Sequence, residues 1–289
     1  MSDVAAHRAT LLRHCYRMLG SFADAEDVVQ DVLVNAWNAR DSYAGNVPIE
    51  HWLMRIATNA CLNELARRKR RVLPQLECEP ASSLDQIGRE LESIEWITPA
   101  PDRVLETREH VALAFIALLQ RLPPRQRAVL LLKDVVGWSA EEIATTLDTT
   151  VASVSSALHR ARETIAVPQP AETVAPPPEI VREYIRSWEQ RDLDTLVRLL
   201  RDDVVFAMPP HATWFRGPAV GAFFRSARLA SLWTHAIRIE LTRANGELAL
   251  AFFSDDRPHS LQVVEFVDGR VAQAVQFIGA AYLRGFTAR

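Results

Sequence analysis

Apolar residues recur at helical spacing through the first 71 residues, and this spacing predicts three helices. The first helix ends at Gly20-Ser21 and carries an apolar stripe of Leu11, Leu12, Cys15, Tyr16, Met18 and Leu19. The second is capped by Asp24 and repeats Ala25, Val28, Val29, Val32, Leu33, Ala36 and Trp37. The third follows a polar loop, begins at Ile49 and turns inward Trp52, Leu53, Ile56, Ala57 and Ala60.

The polar positions of these helices each allow two interpretations. The second helix has an acidic outer face of Glu26, Asp27, Gln30 and Asp31, which is either a solvated surface or a docking surface for a basic partner. The third helix runs into RRKRR at residues 67–71. Cations stabilise a helix C-terminus, but five in succession exceed what a cap requires and suit phosphate contact.

Residues 130–162 predict two helices joined by a tight turn. Ser139 is followed three residues later by Glu142, the pattern of a capping box, and an apolar face of Ile143, Ala144 and Leu147 comes next. Asp148-Thr149-Thr150 forms the turn. The second helix buries Val151, Val154, Leu158 and Ala161, and exposes Ser153, Ser155, Ser156, His159, Arg160 and Arg162. The pattern is typical of a helix-turn-helix that enters a DNA major groove, although an ordinary helical hairpin also fits.

Beyond residue 180 the pattern changes to helices followed by long strands. An amphipathic helical pair spans residues 180–200, alternation at 203–208 predicts a strand, and residues 217–228 are helical. Four strand-like runs follow at 235–242, 247–253, 260–267 and 270–278, with Asn245-Gly246 and Asp268-Gly269 as hairpin turns. The order predicts an α+β fold in which a curved sheet wraps around a helix.

Composition narrows the function further. A chain of 289 residues has room for two or three domains, and its net charge of −3 means that any nucleic-acid binding comes from local patches or from a partner. Cys15, Cys61 and Cys78 show no metal-ligand spacing, and the first two fall in apolar helical patterns as buried thiols. There is no Gly-rich phosphate loop or nucleophile elbow, so no cofactor or metal is expected. The N-terminus lacks a signal-peptide pattern and no stretch reaches membrane-spanning length, which predicts a cytoplasmic protein with no membrane partner.

Two segments, DAEDVVQDVLVNAW and HWLMRIATNACLNELARRKRR, resemble region 2 of bacterial extracytoplasmic-function (ECF) sigma factors, and residues 111–167 resemble their region 4. The resemblance implies a factor that binds core RNA polymerase and directs it to the −10 and −35 elements of promoter DNA. It assigns contact with the β′ clamp helices to Asp24, Glu26, Asp27, Gln30 and Asp31. It assigns a flipped −10 base to the loop 41–51, and the rest of the −10 element to Arg55, Asn59, Asn63, Arg67, Arg68, Lys69, Arg70 and Arg71.

Region 4 of the family binds the polymerase β flap and the −35 element. The resemblance assigns the DNA contact to Ser153, Ser155, Ser156, His159, Arg160 and Arg162. Many members carry basic residues where this chain has Ser155 and Ala157, so binding to DNA is expected only within the polymerase holoenzyme. A stand-alone regulator that uses only the helix-turn-helix is the rival hypothesis, and it has no use for a −10 reader at residues 24–71.

The expected fold is therefore multidomain, with two all-α sigma domains at 4–71 and 111–167 and an α+β domain at 180–289. The first linker, 72–110, is acidic and suits the basic RNA channel of polymerase; the second, 168–179, is Pro-rich. Residues 95–102 resemble a WLxPxPD signature of sigma factors with an extra C-terminal domain. The alternative is that Trp96 simply anchors the linker to a neighbouring domain.

Residues 180–289 resemble the SnoaL-like, NTF2-like cone, with MPPHATWFRG as its recurring segment. The cone of this family encloses an apolar pocket, and the candidate wall here is Trp188, Phe206, Met208, Trp214, Phe215, Phe223, Trp233, Phe252 and Phe277. Core packing explains most of these aromatic residues without a ligand. The polar candidates are His211, His235, Asp255, Asp256, His259 and Glu265, and no pair has a spacing that demands acid–base chemistry.

The sequence therefore favours a regulatory cone over an enzyme that turns over a small apolar substrate. Any small-molecule ligand of the cone is not identified by its residues. The hypothesis is that residues 180–289 make intramolecular contacts with the two sigma domains and set their separation. A short Pro-rich tether keeps the cone at a high effective concentration for such contacts.

Overall fold

The computed structural model describes residues 5–39, 43, 45–83, 95–105, 112–165, 175–230 and 234–286. It divides into two compact units, one made of Met1–Val72 with Ile97–Pro168 and the other of Leu73–Trp96 with Gln169–Arg289. The two segments predicted as separate sigma domains thus share one unit. The predicted first linker is divided, because its beginning belongs to the second unit and its end to the first.

The elements follow one another in an order close to that predicted. The helices of the N-terminal half are α1 Arg8–Leu19, α2 Phe22–Asn38, α3 Ile49–Arg67, α4 Pro74–Glu77, α5 Asp102–Leu105, α6 Leu113–Arg121, α7 Pro124–Leu130, α8 Ala140–Thr146 and α9 Val151–Ile165, with short strands β1 Arg71–Val72 and β2 Glu95–Trp96. The C-terminal half contains α10 Pro178–Gln190, α11 Leu193–Arg198, β3 Leu200–Ala207, β4 Trp214–Arg216, α12 Pro218–Phe224, α13 Ala227–Ala230, β5 Ile237–Ala244, β6 Glu247–Ser254, β7 Arg257–Val267 and β8 Arg270–Ile278.

Helix α1 lies at the centre of the first unit, in contact with α2, α3, α5, α6 and α7. Its predicted apolar stripe is confirmed, since all six residues are buried. The predicted cap of α2 was wrong: the helix begins one turn earlier, and the hydroxyl of Ser21 accepts from the Asp24 backbone N–H. The apolar face of α2 is also narrower than predicted, because Trp37 is 54% exposed and Val28 and Leu33 are only partly buried.

The basic run does not extend α3 as predicted, because the helix ends at Arg67 and Arg68 has an extended backbone. The predicted inward face of α3 was partly wrong as well. Leu53 and Ala57 are buried, whereas Trp52, Ile56 and Ala60 are only partly covered because the core contacts are made by Met54, Thr58 and Cys61. The thiols of Cys15 and Cys61 are buried as expected.

The helix-turn-helix forms as predicted, with one correction to its second helix. The apolar face of α8 is buried, and Asp148 takes the left-handed conformation (φ 49°) that reverses the chain. In α9 only Val154 and Ala161 are buried. Val151 is 40% exposed and Leu158 half-buried, so the covered face of α9 is narrower than predicted.

The second unit contains a mixed six-stranded sheet in the order β4-β3-β8-β7-β6-β5. Strands β5 to β8 form an antiparallel meander, and β3 joins β8 in parallel. Helices α10 to α12 cover one face of the sheet, where an aromatic cluster is centred on Tyr184, Trp188, Phe206, Phe223 and Phe252. This is the predicted α+β cone. The predicted helix at 217–228 is two helices, and strand β4 was not predicted because three residues are too few to show alternation.

Candidate nucleic-acid interface

The outer face of α2 presents an exposed acidic surface. Asp27, Gln30 and Asp31 are exposed along it, at positions one turn apart. Two other predicted members of this face have partners within the unit: Glu26 lies 3.4 Å from the Arg8 guanidinium, and Asp24 binds two arginines. The three outer residues are therefore the part of the face that is open to a partner.

Asp24 joins the start of α2 to the basic run after α3. Its carboxylate accepts from Arg68 at 2.9 Å and also from Arg71. Arg71 is 6% exposed, and it donates a further hydrogen bond to the Leu19 carbonyl at 2.8 Å. The run thus has two parts, because Arg67, Arg68, Lys69 and Arg70 are exposed whereas Arg71 belongs to the core of the unit.

Helix α3 carries an exposed polar ridge opposite its buried face. Arg55, Asn59 and Asn63 are all exposed and are spaced four residues apart, about 6 Å along the helix axis. The ridge continues into the exposed part of the basic run. Amide and guanidinium groups in one line, followed by cations, can contact base edges and phosphates in succession.

Side-chain caps stabilise the start of the recognition helix α9 and the start of α8, the helix that precedes it. Ser139 and Glu142 complete the predicted capping box of α8: the Ser139 hydroxyl accepts from the Glu142 N–H at 3.1 Å, and the Glu142 carboxylate accepts from the Ser139 N–H at 2.8 Å. These bonds hold the pKa of Glu142 below its ordinary value. Thr150 caps α9 by accepting from the Ser153 N–H at 3.1 Å.

The outer side of α9 is polar and exposed at the six predicted positions, Ser153, Ser155, Ser156, His159, Arg160 and Arg162. Both arginines have local partners. Arg160 donates to the Ser156 hydroxyl at 2.7 Å, and Arg162 binds both carboxylate oxygens of Asp134 at 2.6 and 3.1 Å. The Asp134 carboxylate raises the pKa of Arg162, so this guanidinium stays charged and its bidentate face is occupied.

The first turn of α3 meets the start of α8 directly, which the sequence pattern does not indicate. The imidazole of His51 lies against the indole of Trp138, with ring centroids 4.7 Å apart, and its Nδ1 is 3.5 Å from a Glu142 carboxylate oxygen. His51 ends the loop predicted to hold a −10 base, and Glu142 belongs to the capping box. The two predicted promoter readers are thus in contact within this unit.

A cluster of buried polar groups also joins α1 to α6 and α7. The Arg127 guanidinium donates to the carbonyls of Met18, Gln120 and Leu122 and to the Gln120 side chain, and burial lowers its pKa to about 9. Gln120 in turn donates to the Arg17 carbonyl at 3.3 Å. Gly20 allows this approach, because it has φ 68° and a Cβ there would lie 2.8 Å from Gln120 Cδ. The sequence gives no sign of this burial, because the Met18 carbonyl that Arg127 binds lies on a distant helix.

The predicted pocket wall of the cone divides between the two faces of the sheet. Trp188, Phe206, Met208, Phe215, Phe223 and Phe252 belong to the aromatic cluster under the helices. Phe277 packs instead against Tyr282, with ring centroids 5.4 Å apart, and Trp214 lies at the edge strand β4. Trp233 lies outside the described residues.

A chain of hydrogen bonds crosses the covered face of the sheet. The Tyr184 hydroxyl donates to Gln262 at 3.0 Å, Gln262 donates to Gln276 at 2.6 Å, and Gln276 donates to the Ser260 hydroxyl at 2.7 Å. His259 completes the chain with its Nδ1 2.8 Å from Ser260 Oγ. These buried groups satisfy one another, which is what an uncharged polar core requires.

Three further polar candidates of the cone, His235, Asp255 and Asp256, are exposed at its surface. His235 and Asp255 form a pair 2.7 Å apart at the exposed β6–β7 hairpin, where Asp256 binds Arg238 at 2.9 Å. Within the described ranges, no three His, Cys, Asp or Glu side chains are grouped to hold a metal. No helix in the described part of the chain is both long and apolar enough to cross a bilayer.

Comparison with protein families matches two segments of the chain. Residues 4–71 match the family described as Sigma-70 region 2, and residues 112–165 match Sigma-70, region 4. Both segments lie in the first unit. They contain the exposed face of α2, the α3 ridge and the helix-turn-helix.

Whole-chain relatives extend the likeness to the cone. The ECF RNA polymerase sigma factor SigG of Mycobacterium tuberculosis is 36% identical over 96% of this chain and 81% of its own length. The crystal structure of the ECF sigma factor SigJ from the same organism covers 98% of both chains at 24% identity, with a TM-score of 0.64, and therefore has the same fold. A SnoaL-like protein of Burkholderia thailandensis covers 35% of this chain and 92% of its own, with 24% identity and a TM-score of 0.30.

Proposed function

Because this chain belongs to the ECF RNA polymerase sigma factors and thus acts in transcription initiation, we propose that its two promoter readers work from a closed unit that must open. The observation that carries the proposal is the contact between His51 and Trp138. Elements at −10 and −35 lie about 85 Å apart along B-DNA, at about 3.4 Å per base pair. Side chains that touch in one unit do not reach both elements together.

The exposed part of α2 is the proposed surface for core polymerase. Asp27, Gln30 and Asp31 present acidic and amide groups that suit a basic partner, here the β′ clamp helices. Asp24 and Glu26 support this surface indirectly, since their carboxylates bind Arg68, Arg71 and Arg8. Region 4 is proposed to bind the β flap.

The α3 ridge and the outer side of α9 are the proposed DNA surfaces. Arg55, Asn59 and Asn63 would contact the −10 element, and the exposed cations 67–70 would hold phosphates upstream of it. Arg71 is proposed to position the basic run rather than to contact DNA, because it bonds to Asp24, which also binds Arg68. The recognition helix supplies few free cations, since Arg162 is held by Asp134, so the affinity for the −35 element depends on polymerase.

The cone is proposed to regulate these surfaces in cis by binding rather than by catalysis. Its buried polar groups from Tyr184 to Ser260 bond to one another, and its His235–Asp255 pair is at the surface. Neither arrangement directs a free acid or base toward an apolar pocket. A domain tethered to the sigma unit at high effective concentration can favour the closed state without chemistry.

The experiment is run-off transcription from a mapped promoter, with purified core polymerase and either the full chain or a 1–167 truncation. Promoter-specific transcripts are expected with both proteins, and more with the truncation. If neither protein yields promoter-specific transcripts, the chain does not act as a sigma factor at this promoter. Equal output and equal polymerase affinity for the two proteins would contradict regulation in cis.

A further inference from the structure

The compact unit that contains the cone also includes a segment of the first linker, which packs on the sheet of the cone. Helix α4 packs against β3, and Cys78 and Ala81 then bond to Trp214 at the start of β4, the edge strand of the sheet. These residues belong to the same compact unit as the cone. In sequence they lie between the −10 reader and the helix-turn-helix.

Trp214 makes two hydrogen bonds to this segment. Its indole Nε1–H donates to the Cys78 carbonyl at 2.7 Å, and its own carbonyl accepts from the Ala81 N–H at 2.8 Å. The indole is 8% exposed, and Ala81 packs against the aromatic cluster of the cone. An edge strand with a free carbonyl is a natural acceptor for an extended peptide, and a buried indole donor fixes its register.

We infer that the β4 edge and Trp214 form a latch for the linker segment 78–81, and that opening the latch is a step in forming the active sigma factor. The inference rests on the proposed function, which requires the two promoter readers to separate. Because residues 78–81 belong to the linker between the readers, the latch ties that linker to the cone. The segment carries the acidic Glu79, and it cannot lie on β4 and in a basic polymerase channel at once.

The strength of the latch suits a reversible device. Each hydrogen bond contributes only about a fivefold change in an equilibrium constant after exchange with water. Core polymerase that binds the linker therefore competes with the cone at a modest cost. Loss of the indole N–H alone should open the latch about fivefold, because the hydrogen bond from Trp214 to the Cys78 carbonyl is then absent.

The chain carries its own reporter of this opening. Of its three cysteines, Cys15 and Cys61 are fully buried, whereas Cys78 is partly exposed and lies in the latched segment. The rate of maleimide labelling of the native full chain therefore reports release of residues 78–81. The Cys78→Ser variant gives the background labelling.

The test compares the full chain with Trp214→Phe, which keeps an aromatic ring at β4 but removes the donor. The matched control is Trp188→Phe, the same substitution in the core cluster of the cone. Trp214→Phe is expected to label Cys78 about fivefold faster and to give more promoter-specific transcript with core polymerase, and Trp188→Phe to do neither.

Three results would overturn the latch. They are unchanged labelling of Trp214→Phe, faster labelling with unchanged transcription, and an equal effect of Trp188→Phe, which would indicate general loosening of the cone. Failure of the proposed function gives a different pattern, in which the wild-type full chain yields no promoter-specific transcript at all.

Discussion

Buried polar side chains, rather than apolar ones, distinguish the first unit from an ordinary helical bundle. His14 on α1 is fully enclosed, and its Nε2 lies 2.9 Å from the Thr58 hydroxyl on α3. That hydroxyl donates its single proton to the Met54 carbonyl at 2.8 Å, so the imidazole must donate through Nε2–H. Burial, aided by Arg17, lowers the pKa of His14 to about 4. The ring is therefore neutral in the folded protein.

The depressed pKa of His14 predicts that the unit loses stability in mild acid. An unfolded histidine titrates near 6.5, so the stability from the neutral ring is complete above that pH and is lost as the pH falls toward about 4. The loss should reach about 2 kcal/mol at pH 5. Urea unfolding at pH 7.5 and pH 5, followed by amide exchange in α1 and α3, measures it.

The control for this prediction is His14→Gln, which keeps a donor for Thr58 but does not titrate. The variant should be less stable than the wild type at pH 7.5 and should lose less stability on going to pH 5. Every other group titrates equally in both proteins. The same pH dependence in the variant would mean that His14 is not the group responsible.

At the residue level, the sequence predicts burial well where the side chain is apolar and poorly where it is charged. The stripe of α1 was recognised because six apolar residues repeat at helical spacing. Arg71 and Arg127 look like surface cations in the sequence, because their burial depends on carbonyls contributed by distant helices. Such partners are set by packing and leave no periodic signal.

Among the helices and strands, α8 is the one whose capping interactions the sequence predicts most directly. Replacing the cap residue, Ser139→Ala, removes the acceptor for the Glu142 N–H and should destabilise the helix-turn-helix by about 1 kcal/mol. Faster amide exchange in α8 is the expected result. Thr145→Ala on the same helix is the matched control, since its hydroxyl bonds only to the Glu141 carbonyl and alanine favours a helix. Equal effects of the two substitutions would contradict the capping role.

The exposed face of α2 predicts a charge effect on polymerase binding. Reversing Asp27 and Asp31 to lysine should weaken the affinity for core polymerase, most strongly at low salt, because exposed charges act through long-range attraction. Fluorescence anisotropy of the labelled full chain measures the affinity. Reversing Asp194 and Asp256, two exposed acids of the cone, gives the same change in net charge and should leave the affinity unchanged.

The strands of the cone show why element prediction succeeds or fails. Strand β8 matches the predicted run 270–278, since a hairpin turn at Asp268-Gly269 fixes its start. Strand β4 has three residues, and its role depends on a linker segment more than 130 positions earlier in the chain. Alternation within one segment carries no information about such a partner. The same limit applies to the contact between His51 and Trp138.

At the scale of the whole molecule, the chain divides into two compact units. One unit brings both predicted promoter readers together, and the other contains the cone with the beginning of the linker that joins them. The domain order and the two sigma regions were evident from the sequence. Their closed arrangement was not, because it depends on Arg127, Gln120 and Gly20 meeting across helices that the sequence pattern treats as separate domains.

If the closed unit must open, a cross-link between the two readers should abolish transcription. His51 and Glu142 have side-chain tips 3.5 Å apart, so cysteines at these positions can be joined by a short, reducible bis-maleimide in a Cys78→Ser background. The joined protein cannot contact elements about 85 Å apart, and run-off transcript should be lost. Dithiothreitol should restore it to the level of the unjoined double variant, which already includes any cost of losing the Glu142 cap. Transcription by the cross-linked protein at that same level would show that the readers need not separate.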